Sequence, residues 1–77
     1  PLSEDQLRKR VLYVVEHADG VILRGKGIVA NGSHGLIFHF VPGSLNIEPA
    51  NAAGNQVCFI GTGLDDRQIR TLFSEGK

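Results

Sequence analysis

The sequence predicts an α+β domain in which a four-stranded antiparallel sheet carries two helices on one face, in the order α-β-β-β-β-α. Three observations lead there. Apolar residues repeat at helical spacing at both ends of the chain and alternate at strand spacing between them. Glycine turns too short for a crossover separate the middle segments, which favours antiparallel pairing. A sheet with one apolar face needs a layer to cover it, and the terminal helices supply that layer.

The first helix starts at Ser3. Ser3 and Gln6 have the spacing of a capping box, Glu4 and Asp5 suit the positive end of the helix dipole, and Leu2 and Leu7 fit a hydrophobic staple. Leu7, Val11, Val14, Val15 and Ala18 form one apolar stripe. Arg8, Lys9 and Arg10 fall mostly off it and read as a solvated face. Asp19-Gly20 closes the helix, with Gly20 as its C′ residue.

Val21 to Ala30 reads as a long strand, with Val21, Leu23 and Val29 on one face, Gly25 and Gly27 between them, and Ile22, Arg24, Lys26, Ile28 and Ala30 on the other. Glycines inside a strand mark a bulge or a close approach. Asn31-Gly32 signals a hairpin. In the second strand, Gly35 to Val41, Leu36, Phe38 and Phe40 oppose Ile37, His39 and Val41. Pro42-Gly43 fits a type II turn. The third strand is short, Ser44 to Glu48, and Pro49 ends it before a small polar loop, Ala50 to Asn55. The fourth, Gln56 to Ile60, is a continuous apolar run and predicts a central strand covered on both faces, with Cys58 as a small core residue. After Gly61-Thr62-Gly63, Asp65 and Gln68 repeat the capping-box spacing, Leu64 and Ile69 that of a staple, and Ile69, Leu72 and Phe73 face the core. The tail from Ser74 to Lys77 is expected to fray.

Seventy-seven residues make one domain, and a chain of this size buries only about 60% of its unfolded surface. Eight basic and eight acidic residues leave a formal net charge of zero, which argues against a nucleic-acid or polybasic membrane partner. No apolar run approaches the roughly 20 residues of a membrane span, and the N-terminal ten residues do not resemble a signal peptide. A single cysteine excludes an internal disulfide and suits a reducing, cytoplasmic setting. A chain that starts at Pro1 is expected to be a fragment of a longer protein.

Two glycine patterns imitate nucleotide sites. Gly20 to Lys26 matches part of a P-loop, but Gly27 stands where a magnesium-binding Ser or Thr belongs, and Val-Ile-Leu is strand material. Gly25 to Ala30 imitates a dinucleotide fingerprint yet runs into a hairpin instead of a helix. Gly61-Thr62-Gly63 has the strand-turn-helix geometry of an anion site, but Asp65 and Asp66 would repel a phosphate there. The three histidines, His17, His34 and His39, are scattered and lack zinc-site spacing. His34 and His39 facing each other across the hairpin, or nearing His17, would make only a weak surface metal site. Arg24 and Lys26, paired on one strand face beside two glycines, are candidate partner contacts, against the plainer reading of two solvated charges. No evident catalytic set appears.

Two stretches resemble the C-terminal domain of CobW-type proteins, the cobalamin-synthesis and metallochaperone GTPase family. Leu23-Arg24-Gly25-Lys26-Gly27-Ile28 looks like the family's RxKG strand, and Phe59-Ile60-Gly61-Thr62-Gly63-Leu64-Asp65 like its FIGxGLD junction. The resemblance runs from Leu2 to Phe73. It implies a non-catalytic domain following a P-loop GTPase domain in a longer parent. For that parent it implies GTP, magnesium and zinc or cobalt, with delivery of metal to a client metalloprotein or a role in cobalamin synthesis. The P-loop and the family's cysteine motif are not among these residues. Neither is the histidine-rich stretch of some members. The family's domain is usually preceded by a strand, and the sheet here is expected to lack it. The implied partners are the upstream GTPase domain and a client protein. Two other readings are an independent small enzyme and an RNA-binding sheet on which Phe38 and Phe40 would stack bases.

Overall fold

A computed structural model describes residues 3–51 and 54–75. Its elements are α1 (Glu4–His17), β1 (Val21–Asn31), β2 (His34–Val41), β3 (Ser44–Ala50), β4 (Gln56–Thr62) and α2 (Asp66–Glu75). The strands form one sheet in the order β3-β2-β1-β4, all neighbours antiparallel. Both helices lie on one face. Leu7, Val11 and Val14 of α1 and Leu72 of α2 close over Ile22, Val29, Leu36, Phe38 and Phe40, and all nine are buried.

The start of α1 is the predicted capping box. Gln6 N donates to Ser3 Oγ at 3.2 Å, and Ser3 N donates to Gln6 Oε1 at 3.0 Å. The Leu2 half of the staple lies outside the described residues. The helix does not end on a glycine: Ala18 turns extended at φ −64°, ψ 143°, and Gly20 has no positive φ. Gly20 answers a different demand. A Cβ there would strike the Thr62 carbonyl oxygen, and one on Gly61 would strike the Val21 carbonyl oxygen. The start of β1 and the end of β4 therefore meet backbone to backbone, where Val21 pairs with Thr62 and Ile22 with Gly61.

The register of β1 shifts between Ile22 and Arg24, so Leu23 is an extra residue opposite β4. A bulge reverses the alternation of everything before it. Ile22 is thereby turned into the core, while Val21 and Leu23, expected to share a face with Val29, are 58% and 52% exposed. Beyond the bulge the alternation runs as predicted. The two inward glycines make room for aromatic rings: a Cβ on Gly25 would lie 2.8 Å from the Phe59 ring, and one on Gly27 2.7 Å from the Phe38 ring. The rings of Phe38 and Phe59, 5.9 Å apart, thus lie over the bare backbone of β1. Phe38 is fully buried.

The β1–β2 hairpin turns at Gly32-Ser33, one residue later than the Asn-Gly signal suggests, because Asn31 still pairs with His34. Gly32 takes φ +69°. Gly43 takes φ +88° at the type II position after Pro42. Strand β3 runs on through Pro49 to Ala50, opposite Leu36 and Gly35. An edge strand tolerates this, since one side of its backbone has no ladder to break.

The expectation of a doubly covered β4 is not met. The strand is the other edge of the sheet, and Cys58 is exposed. Of its inward side chains Phe59 packs against the core while Val57 stays 36% exposed, and Ile60 is 54% exposed on the bare face. A continuous apolar run states that both faces are apolar. It does not state that both are covered.

The basic triplet of α1 divides three ways. Arg8 lies 3.6 Å from Glu4 and Lys9 is exposed. Arg10 is not solvated as expected: it turns to α2, its Nη1 donating to the Phe73 carbonyl oxygen at 3.3 Å and its guanidinium lying 5.7 Å from the Phe73 ring centre. Arg10 Nε is buried with no hydrogen-bond partner among the described residues. At the other end of α2, Asp65 Oδ1 accepts from Arg67 N at 2.8 Å and Gln68 N at 3.3 Å, which confirms the cap. Gln68 does not close a capping box. Its Oε1 accepts from Asp19 N at 3.0 Å and ties the end of α1 to the start of α2.

Two measurements check this packing. Asp65→Ala removes the acceptor for two helix N–H groups and should cost about 1 kcal/mol, a fall in thermal midpoint of about 4–8 °C for a domain of this size. Gly27→Ala sets a methyl group 2.5 Å from the Gln56 carbonyl oxygen as well as against Phe38. It should cost about 1–3 kcal/mol as an overpacked core does, and an unchanged urea midpoint would refute the ring-on-glycine packing.

Candidate functional site

The helices cover one face of the sheet, and nothing among the described residues covers the other. Pairing aligns its outward side chains in three rows. Lys26 sits between His39 and Cys58, with Asn46 beyond His39. Arg24 neighbours Ile60 on one side of this row, while Ile28 lies between Ile37 and Gln56 on the other. The result is a face on which Arg24 and Lys26 stand among apolar side chains, with Glu48 beyond Ile37 as its one carboxylate. An open groove of about 860 Å³ runs over the Lys26 and Ile28 rows and reaches Arg70 and Phe73 at the margin of the domain.

Charge is distributed unevenly over the fold. Glu48 is the one acidic residue within a strand; the other seven lie in the helices or at their ends. Arg24 and Lys26 make no ion pair among the described residues. A net charge of zero therefore hides a mildly basic sheet face and helices that carry most of the acid.

The histidines do not converge as the hairpin idea required. His34 and His39 sit on the same strand five residues apart, so their side chains leave opposite faces. Across the ladder His34 meets Asn31, and His39 meets Lys26 and Asn46. His17 is held within its own helix, with Nδ1 donating to the Tyr13 carbonyl oxygen at 3.0 Å and its ring stacked 4.1 Å from that of Tyr13. No cluster of three potential metal ligands occurs among the described residues. Cys58, read in sequence as core, proves to be a surface thiol in the Lys26 row. Only its edge position, which an apolar run does not encode, would have revealed that.

The glycine patterns are likewise structural. Gly20 to Gly27 leads into and runs along β1, with Gly25 and Gly27 paired on both sides. At the β4–α2 junction Asp65 already occupies the first free N–H groups of the helix, where an anion would dock. Phe38 and Phe40, required on the surface for base stacking, are 0% and 5% exposed.

Over residues 1–77, its full length, the sequence matches the family model of the cobalamin synthesis protein cobW C-terminal domain. The chain belongs to this family. No curated protein and no solved structure gives a significant match. In this CobW C-terminal domain the two resembling stretches have definite structural tasks. RxKG supplies the ring-bearing glycines on the inner face and the Arg24–Lys26 pair on the outer one. FIGxGLD supplies the backbone crossing at Gly61 and the cap at Asp65.

Because the histidines diverge, the domain should bind zinc weakly, without a closed four-ligand site. Calorimetric titration checks this. Tight one-to-one binding abolished by His34→Ala or His39→Ala would contradict it.

Proposed function

We propose that this CobW C-terminal domain is a non-catalytic recognition module of a longer, cytoplasmic CobW-type GTPase that delivers zinc or cobalt, or serves cobalamin synthesis. In this reading the upstream GTPase domain binds GTP and magnesium and handles the metal. The present domain packs against it and helps to position the client metalloprotein. The observation that carries the reading is the family match over the whole chain. The geometry supports it in two ways. The glycines that imitate phosphate loops are engaged in strand pairing and close packing, and the open sheet face offers a surface for contact instead of an enclosed pocket for chemistry.

Arg24 and Lys26 are the contact residues this reading favours, since they are the cations of the open face and no carboxylate among the described residues engages them. No helix among the described residues is long and apolar enough to cross a membrane.

Fluorescent-GTP binding with magnesium tests the proposal. The 77-residue chain alone should show neither binding nor hydrolysis, and the chain joined to its P-loop domain should show both. Micromolar GTP binding by the chain alone would overturn it.

A further inference from the structure

We infer that the open sheet face binds a partner protein through a segment in which carboxylates alternate with apolar side chains, with Arg24 and Lys26 as its charged anchors. The inference rests on the recognition role proposed above and names the chemistry of the partner. The face combines two needs that water meets poorly together. Val41 and Ile60 are 48% and 54% exposed, and Ile28 and Ile37 are only partly covered, so apolar area is available for burial. Arg24 and Lys26 stand among them without an ion pair among the described residues. A purely apolar partner would strip water from both cations and return nothing to them. A partner with carboxylates set among its apolar side chains satisfies both, and complementary charge fixes register and speeds encounter.

Two other classes of partner fit less well. Nucleic acid would need several cations and a stacking ring; the face has two formal cations, and the phenylalanines of β2 point into the core. A second copy of the face would bring Arg24 and Lys26 against their own counterparts, with only Glu48 to offset them.

The test uses a fluorescein-labelled 18-residue amphipathic peptide with a leucine stripe flanked by glutamates. Two controls accompany it: the same peptide with lysine for every glutamate, and a 12-nucleotide RNA. Anisotropy with the chain and with the chain joined to its P-loop domain should show binding of the glutamate peptide alone, weakening as salt rises. The double variant Arg24→Glu, Lys26→Glu should weaken it at least tenfold, while Arg67→Glu on α2, away from the sheet, should leave it unchanged. Amide shifts in a 15N spectrum should fall on Arg24, Lys26, Ile28, Ile37 and Ile60, and the double variant should keep a dispersed, folded spectrum. Equal binding of the lysine peptide, tighter binding of RNA, shifts confined to the helices, or no binding would each overturn the inference. GTP binding by the joined protein is measured on the same samples. If it is retained while the peptide fails, the face is refuted and the family role stands; if it is lost while the peptide binds, the reverse holds.

Discussion

Everything in this domain is built on the contact of two phenylalanine rings with a strand that has no side chains beneath them. Phe38 and Phe59 reach from β2 and β4 over Gly25 and Gly27 of β1. A sheet of four strands has little room for a thick core, and a second layer of side chains on β1 would push the helices away. Leaving them out lets the rings come close to the backbone, and Leu7, Val11 and Val14 share one core with Phe38. Glycine weakens a strand by its own propensity. Here the deficit is offset by burying the whole of Phe38, on the order of 150–250 Å² of aromatic surface, and part of Phe59.

The helix layer is closed by polar contacts between helix ends as well as by leucine and valine. The Gln68 side-chain oxygen accepts a hydrogen bond from the Asp19 N–H, and Arg10 Nη1 donates one to the Phe73 carbonyl oxygen in the last turn of α2. Each satisfies a backbone group that no regular hydrogen bond reaches. Arg10 also places positive charge at the negative end of the α2 dipole. The same residues leave the opposite face of the sheet untouched, so one side is committed to the stability of the domain while the other is left open among the described residues.

The elements were legible in the sequence because local chemistry determines them: a capping box at Ser3, a cap at Asp65, alternation along β2 and a Pro-Gly turn. What escaped was set by distant parts of the chain. The bulge at Leu23 depends on how β4 crosses β1, and no propensity of leucine announces it. The position of β4 at an edge depends on sheet order, so Cys58 and Ile60 looked buried when they are not. Arg10 follows the periodicity of a solvated position, yet the neighbouring helix end captures it. Of the candidate site, Arg24 and Lys26 were visible as a pair on one face. Their apolar surroundings and the uneven spread of charge emerged only when the strands were laid side by side.

The two edges of the sheet are not alike. Strand β3 carries Glu48 and Pro49 just before its last residue, a charge and a residue without an N–H, which blunt its outer ladder. Strand β4 has neither: its seven residues, Gln56–Thr62, contain no charge and no proline. An unguarded apolar edge is a template that any extended chain can copy, including another molecule of the same domain. A strand added along β4 would extend the sheet and remove that open edge without touching the core.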